Sequence, residues 1–182
     1  MKATGIVRRV DELGRLVIPK EIRRTMRLAE GTPLEIFTDR EGQIILKKYS
    51  PMMELGSFAK QYAESVAQTM NQKVAVSDRD QIIAVAGGGK RELLGKTISR
   101  QLEEMIINRE NSIQAGLDKK TIPLISGDED SYSAQAIYPI CCEGDCIGAV
   151  ILYSRENQTH FSEIEYKAAA CAASFLGKQM EG

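Results

Sequence analysis

Eight basic side chains crowd the first 28 residues: Lys2, Arg8, Arg9, Arg15, Lys20, Arg23, Arg24 and Arg27, opposed over the same stretch by Asp11, Glu12 and Glu21. Six of the eight are arginine. The planar guanidinium grips phosphates and guanine edges with two parallel hydrogen bonds, and a merely solubilising surface has no reason to prefer it over lysine. This set points to nucleic acid as a partner. Net charge does not carry that conclusion, because the whole chain of 182 residues sums to −1. The charge is segregated instead. Residues 1–50 hold eleven basic and seven acidic side chains, a balance of +4, and residues 51–182 hold thirteen and eighteen, a balance of −5. A basic head on an acidic body predicts two parts with different tasks.

Other residue sets invite chemistry and do not support it. The stretch AGGGKRELLGKT follows an apolar run and contains Gly95-Lys96-Thr97, as a phosphate loop would. That motif needs a glycine five positions before Gly95, where Lys90 stands, and charged, bulky Arg91–Leu94 fill the space that phosphates need. His160 is the only histidine, and no serine or carboxylate set accompanies it as a catalytic group. Asp128-Glu129-Asp130 lacks the spacing of a calcium loop and reads as a solvated turn. Cys141, Cys142 and Cys146 flank a hairpin turn and Cys171 lies in an Ala-rich helix, without zinc-ribbon spacing. They read as small hydrophobes kept reduced in the cytosol, although Cys142 and Cys146 can face each other across Glu143-Gly144-Asp145. The chain is expected to be no enzyme and to need no metal or cofactor.

The basic residues of the head must be placed by short elements. Residues 6–10 (IVRRV) and 15–18 (RLVI) have β-branched content and predict two strands around the turn Asp11-Glu12-Leu13-Gly14. Pro19 fits the first position of a helix over residues 20–28, which Glu30-Gly31 ends. Residues 33–39 and 44–49 form a hairpin around Arg40–Gln43. A β-β-α-β-β unit of about fifty residues buries too little to stand alone. With no metal or disulfide to staple it, two copies must share one core.

The string TGIVRRVDELGRLVIPKEIRRTMRLAEGTPLEIF resembles the AbrB-like swapped-hairpin DNA-binding domain of bacterial transition-state regulators. The resemblance covers residues 1–50 and rests on VDELGR, VIP, E-x-RR and the LEI strand. It implies a β-barrel dimer in which two chains exchange hairpins and in which arginines contact double-stranded DNA. By position those contacts fall on Arg8, Arg15, Arg23 and Arg24. Strand alternation alone leaves Arg8 and Arg9 open; the resemblance favours Arg8.

The body follows a linker, residues 51–55. Ser50-Pro51 is a good helix entry, and Leu55, Phe58, Ala59, Tyr62, Val66 and Met70 recur at three- and four-residue steps as an apolar stripe. Residues 73–77 and 81–86 read as strands, Ile98, Leu102, Met105 and Ile106 mark a helix, and residues 111–133 read as irregular with a short strand at 121–125. Residues 134–142 and 146–154 form a hairpin. Ser162-x-x-Glu165 is a capping box that opens a last helix, with Phe161 and Tyr166 at staple positions and Ile164, Ala168, Cys171, Ala172, Phe175 and Leu176 as its narrow, Ala-rich apolar stripe. The order α-β-β-α-β-β-α predicts an antiparallel sheet with packed helices, an α+β protein overall. IIAVAGGG, LLGKTIS, IYPICCEGDCIGAVILYS and FSEIEYKAAACAASFL resemble a GAF domain, a small-molecule sensor module, over residues 56–182. Head and body together are similar to regulators of transcription in the developing spore. The resulting expectation is a transcription regulator, activator or repressor, that dimerises through its head, forms a tetramer as a full chain and responds to an unknown small-molecule effector. An antitoxin-like interaction protein and a ligand-binding module with a tether role are the alternatives. No apolar run approaches the roughly 18 residues of a membrane span, and the N-terminus lacks a signal-peptide run, so the chain reads as soluble and cytoplasmic.

Overall fold

A computed structural model describes residues 4–49, 56–115, 121–128, 132–156 and 159–181. They fall into two compact units, Met1–Tyr49 and Ser50–Gly182.

In the first unit the helix α1 (Lys20–Thr25) is six residues long and buries none of them. Pro19 precedes it as the N-cap, one position earlier than expected, and its carbonyl accepts the Arg23 N–H at 3.0 Å. The helix stops before Leu28 because Arg27 turns to φ +50°, and Leu28 N–H then closes onto the Arg23 carbonyl at 2.7 Å. Strands β1 (Leu34–Thr38) and β2 (Ile44–Lys48) pair antiparallel with Ile36 opposite Leu46. Their turn is organised by Asp39, whose Oδ1 accepts from the N–H groups of Glu41 and Gln43. Residues 6–10 and 15–18, expected as strands, are not strands in one chain. What is lacking is a partner rather than propensity: Val7 is 83% and Val17 74% exposed, part of an apolar surface of the kind that marks a contact with another chain.

The second unit is a five-stranded antiparallel sheet, ordered β4-β3-β7-β6-β5. In chain order its elements are α2 (Gly56–Met70), β3 (Lys73–Asp78), β4 (Ile82–Ala86), α3 (Lys90–Leu93), α4 (Arg100–Ile107), β5 (Ser112–Ala115), β6 (Ala134–Cys142), β7 (Asp145–Ser154) and α5 (Glu163–Gln179). Both sheet faces are covered, which is why these strands read as nearly continuous apolar runs. Val74, Val76, Val150 and Leu152 pack under α2 and α5; Ala75, Ala149, Ile151 and Tyr153 pack under α3 and α4. The capping box of α5 is present, Glu165 accepting the Ser162 N–H at 2.7 Å. That hydrogen bonding holds the Glu165 carboxyl below its usual range against the opposing effect of burial, the largest single influence on it.

Several expectations change here. The helix entry at Ser50-Pro51 and the stripe position Leu55 lie outside the described residues. What α2 buries is Ala59, Ala63 and Ala67, whereas Phe58 is 47% exposed. What α5 buries is Ala169, Ala172, Ala173, Leu176 and Gly177, while Ile164, Cys171 and Phe175 lie outside. Small side chains win the sheet face because they let the helix backbone come close: a Cβ at Gly177 would overlap the Cys141 carbonyl. The segment 111–133 contains β5, paired with β6. Residues 121–125 form no strand. The buried Gln135 amide takes that role for Ile122, accepting from its N–H at 2.9 Å and donating to its carbonyl at 2.6 Å. Finally, Cys141 rather than Cys142 stands opposite Cys146, because the β6–β7 register shifts after Ile140, and Cys141 and Cys146 form a disulfide. Neither the all-reduced reading nor the Cys142–Cys146 pairing holds.

Candidate nucleic-acid interface

The turn that carries Arg15 is built by Asp11. Its Oδ1 accepts from the Leu13 and Arg15 N–H groups at 3.0 and 2.8 Å, and Asp11 N–H donates to the Arg15 carbonyl at 3.0 Å. Gly14 takes φ +73°, which closes the turn without a Cβ penalty. Asp11 Oδ2 also accepts from Arg15 Nε at 2.7 Å. That bond uses Nε alone and leaves the two terminal nitrogens as donors, on a side chain 69% exposed. The Arg15 backbone N–H first, and its guanidinium second, hold the Asp11 carboxyl below its usual range, so the turn is ordered throughout neutral pH and loosens only in acid as Asp11 protonates.

Arg23 and Arg24 lie in the last turn of α1, both exposed. Consecutive helical positions diverge by about 100°, so the pair spans a wide arc rather than a single point. Arg8 is also exposed, with Nη1 donating to the Val7 carbonyl at 3.0 Å, and it borders an apolar groove of about 460 Å³. Leu16, Val17, Ile18, Ile22, Leu34 and Leu46 are among the groove's walls. Within one chain the four arginines therefore occupy three separate supports: arm, turn and helix. Of the four, only Arg23 and Arg24 share an element. Asp11, an acid inside the basic set, is the residue that closes the turn carrying Arg15. Its signal was present as an aspartate two residues before Leu13 and three before Gly14, the pattern of a side-chain-closed turn.

The other sequence candidates take structural places. Gly87, Gly88 and Gly89 all have positive φ, and the Gly88 carbonyl accepts from the Tyr153 hydroxyl at 3.1 Å, which makes this a seam between strand and helix. Burial pushes the Tyr153 phenol up to about 12. Asp128 is not a solvated turn residue. Its side chain is 5% exposed, accepts from Tyr132 Oη at 2.5 Å and pairs with Arg155, which also reaches Glu92 at 2.8 Å. Arg155 further covers the Tyr132 ring at 4.9 Å. Glu129 and Asp130 lie outside the described residues. Among the described residues no helix is long and apolar enough to cross a membrane.

Comparison with known proteins accounts for both units. A family model described as stage V sporulation protein T C-terminal, transcription factor, matches residues 54–181, and one described as antidote-toxin recognition MazE, bacterial antitoxin, matches residues 7–53. Stage V sporulation protein T of Bacillus subtilis is 50% identical over 181 residues, which cover 100% of this chain and 99% of the relative. The transition state regulatory protein AbrB of the same organism is 66% identical over 53 residues, 29% of this chain and 54% of AbrB. The GAF domain of an Acinetobacter phosphoenolpyruvate-protein phosphotransferase covers 74% of this chain and 84% of its own at 13% identity and a TM-score of 0.57, which establishes the fold of the body.

Proposed function

This chain belongs to the family of stage V sporulation protein T, and we propose that it acts by clamping double-stranded DNA with a dimeric head in which Arg8, Arg15, Arg23 and Arg24 make the contacts. The observation that carries this reading is the coincidence of an apolar groove with exposed apolar arms in the same fifty residues as the arginines. A second copy that fills the groove doubles the number of arginines and gives two matched sets, suited to two turns of a duplex. Arg9, Lys20 and Arg27 supply phosphate contacts at most. Residues 1–50 form this head, 51–55 a linker and 56–182 the body, and the protein works in the cytoplasm, where its DNA is.

Single changes of Arg15, Arg23 and Arg24 to Ala test the site in a gel-shift titration over a range of salt. Each is expected to cost about 1–3 kcal/mol where the side chain reads a base, or to flatten the salt slope by about one unit where it holds a phosphate. Melting temperature should stay put, because all three side chains are exposed. Undiminished affinity in all three variants removes the assignment.

The body supplies a further contact between copies. Phe58, Cys171 and Phe175 are exposed on α2 and α5, and the half-buried Tyr62 stacks on Phe175 at 4.9 Å with its hydroxyl 3.9 Å from Cys171 Sγ. Both helices bury mostly small side chains on the sheet and expose Phe58 and Phe175, an arrangement suited to a helix-on-helix interface between bodies. Joined to the head dimer, it gives a tetramer. Phe175→Asp in the full chain should convert the tetramer to a dimer by sedimentation equilibrium; a full chain that is already dimeric overturns this part. The same body is the place for a small-molecule effector, which can change DNA affinity only through a difference in its own affinity for two arrangements of the assembly.

A further inference from the structure

Three cysteines meet at the tip of the β6–β7 hairpin, and the structure distinguishes them. Cys141 and Cys146 are direct cross-strand partners with Cα atoms 4.0 Å apart, joined as a disulfide. Cys142 faces Asp145 instead and is free. The hairpin tip is gripped from two other elements. Arg79, in the turn between β3 and β4, donates from Nε to the Cys146 carbonyl at 2.6 Å. Arg109, just past α4, donates from its guanidinium to the Gly144 carbonyl. These bonds go to backbone atoms, so they hold Cys146 opposite Cys141 whether or not the sulfurs are bonded.

A protein that regulates transcription shares a compartment with DNA, where small thiols keep most cysteines reduced and where a disulfide is usually transient or redox-sensing. We propose that the hairpin tip is a reversible dithiol–disulfide site, in which the Cys141–Cys146 pair exchanges two electrons with a low-molecular-weight thiol and its disulfide. Cys141 is exposed and Cys146 is 4% exposed, so the incoming thiolate attacks Cys141 Sγ. The protein S–S bond breaks and Cys146 leaves as a thiolate, on a hairpin tip whose backbone Arg79 and Arg109 hold in place. A second small thiolate attacks the small-molecule sulfur of the mixed disulfide. Cys141 leaves as a thiolate, the two small thiols depart as one disulfide, and the protein has gained two electrons and, on protonation, two protons. Oxidation runs the same steps backwards.

Cys142 does not compete for this role. Burial, with the carboxylates of Glu143 and Glu181, pushes its thiol up, which keeps it protonated and slow. The chemistry also has a direct neighbour. Gly177 of α5 lies against the Cys141 carbonyl so closely that no side chain fits between them, so the strand end that the disulfide fixes is the floor on which α5 rests.

The full-length protein is equilibrated in glutathione buffers from fully reduced to fully oxidised, quenched, alkylated and read by tandem mass spectrometry. The expected result is the loss of two of the four alkylation sites in one two-electron step, at Cys141 and Cys146, and their return in excess reduced glutathione. Cys142→Ser should leave that step unchanged, and Cys141→Ser should abolish the intramolecular bond. Four alkylated cysteines at every ratio overturn the proposal. So does a pair that stays oxidised in excess reduced glutathione, or a Cys142–Cys146 bond in the Cys141→Ser protein.

Discussion

Val17→Asp is expected to abolish DNA binding and dissociate the head, although Val17 is 74% exposed in a single chain and is none of the four arginines proposed to meet DNA. Read from one copy, the substitution is a surface change of the kind that alters stability by less than about 0.5 kcal/mol. The apolar groove that Val17 lines gives the opposite answer. A second copy seated there buries position 17, and an uncompensated buried carboxylate costs about 3–5 kcal/mol in each copy. A unit of some fifty residues has no such reserve. The measurement is circular dichroism and sedimentation over a dilution series, beside a gel shift. Wild type should lose head structure and dimer together on dilution, the signature of a core that exists only between copies. The variant should show neither at any concentration within reach. A Val17→Asp protein with native affinity for DNA would end the shared-core account, and Val17→Thr, similar in size and without charge, separates burial of a carboxylate from loss of shape.

Much of this molecule could be read in advance where the deciding forces are local. The turn at 11–14, the hairpin around Asp39 and the capping box at Ser162 are each set by a few neighbouring side chains, and each is where its residue types place it. The arms at 6–10 and 15–18 read as strands on propensity that is real; one chain does not form them because a strand needs a neighbour to bond. Helix faces are legible in part. Of the stripe Phe58, Ala59, Tyr62 and Val66, Ala59 is fully buried and Tyr62 and Val66 pack on the core, while Phe58 stays exposed, because the face that packs is the one that lets backbones approach. Ala59, Ala63 and Ala67 decide that, and nothing in a single helix says how near the sheet is. The cysteine pairing missed by one residue, since a register shift after Ile140 leaves no mark in composition. The arginine set reads as a DNA contact from chemistry and resemblance, and the turn between its members reads from residue types, whereas the closure of that turn by the Asp11 carboxylate does not show in a count of charges.

Gly148→Val should be strongly damaging to the body, and the reason is a close approach of two backbones. Gly148 sits in β7 between Asp78 of β3 and Ile140 of β6, both direct partners. A Cβ there would overlap the Ser77 carbonyl and stand 3.2 Å from Asp78 Cα. Neither can step aside: β3 shifts register between Val76 and Ser77 in pairing with β4, and the Ser77 side chain is already fully buried. The strand pair must therefore separate locally, giving up ladder hydrogen bonds at the centre of a five-stranded sheet. Overpacking of this kind costs about 3 kcal/mol, and more where the obstructing atom is backbone. For a unit of this size that corresponds to a fall in melting temperature of about 10 °C. Gly56→Ala provides the contrast. It lies in α2 with no atom within 4 Å of a new Cβ, so the change should be neutral or stabilising by up to about 1 kcal/mol. Thermal unfolding of the two full-length variants followed in the body, beside wild type, decides the matter: equal melting temperatures for Gly148→Val and wild type would mean that β3 and β7 do not approach as closely as their pairing requires.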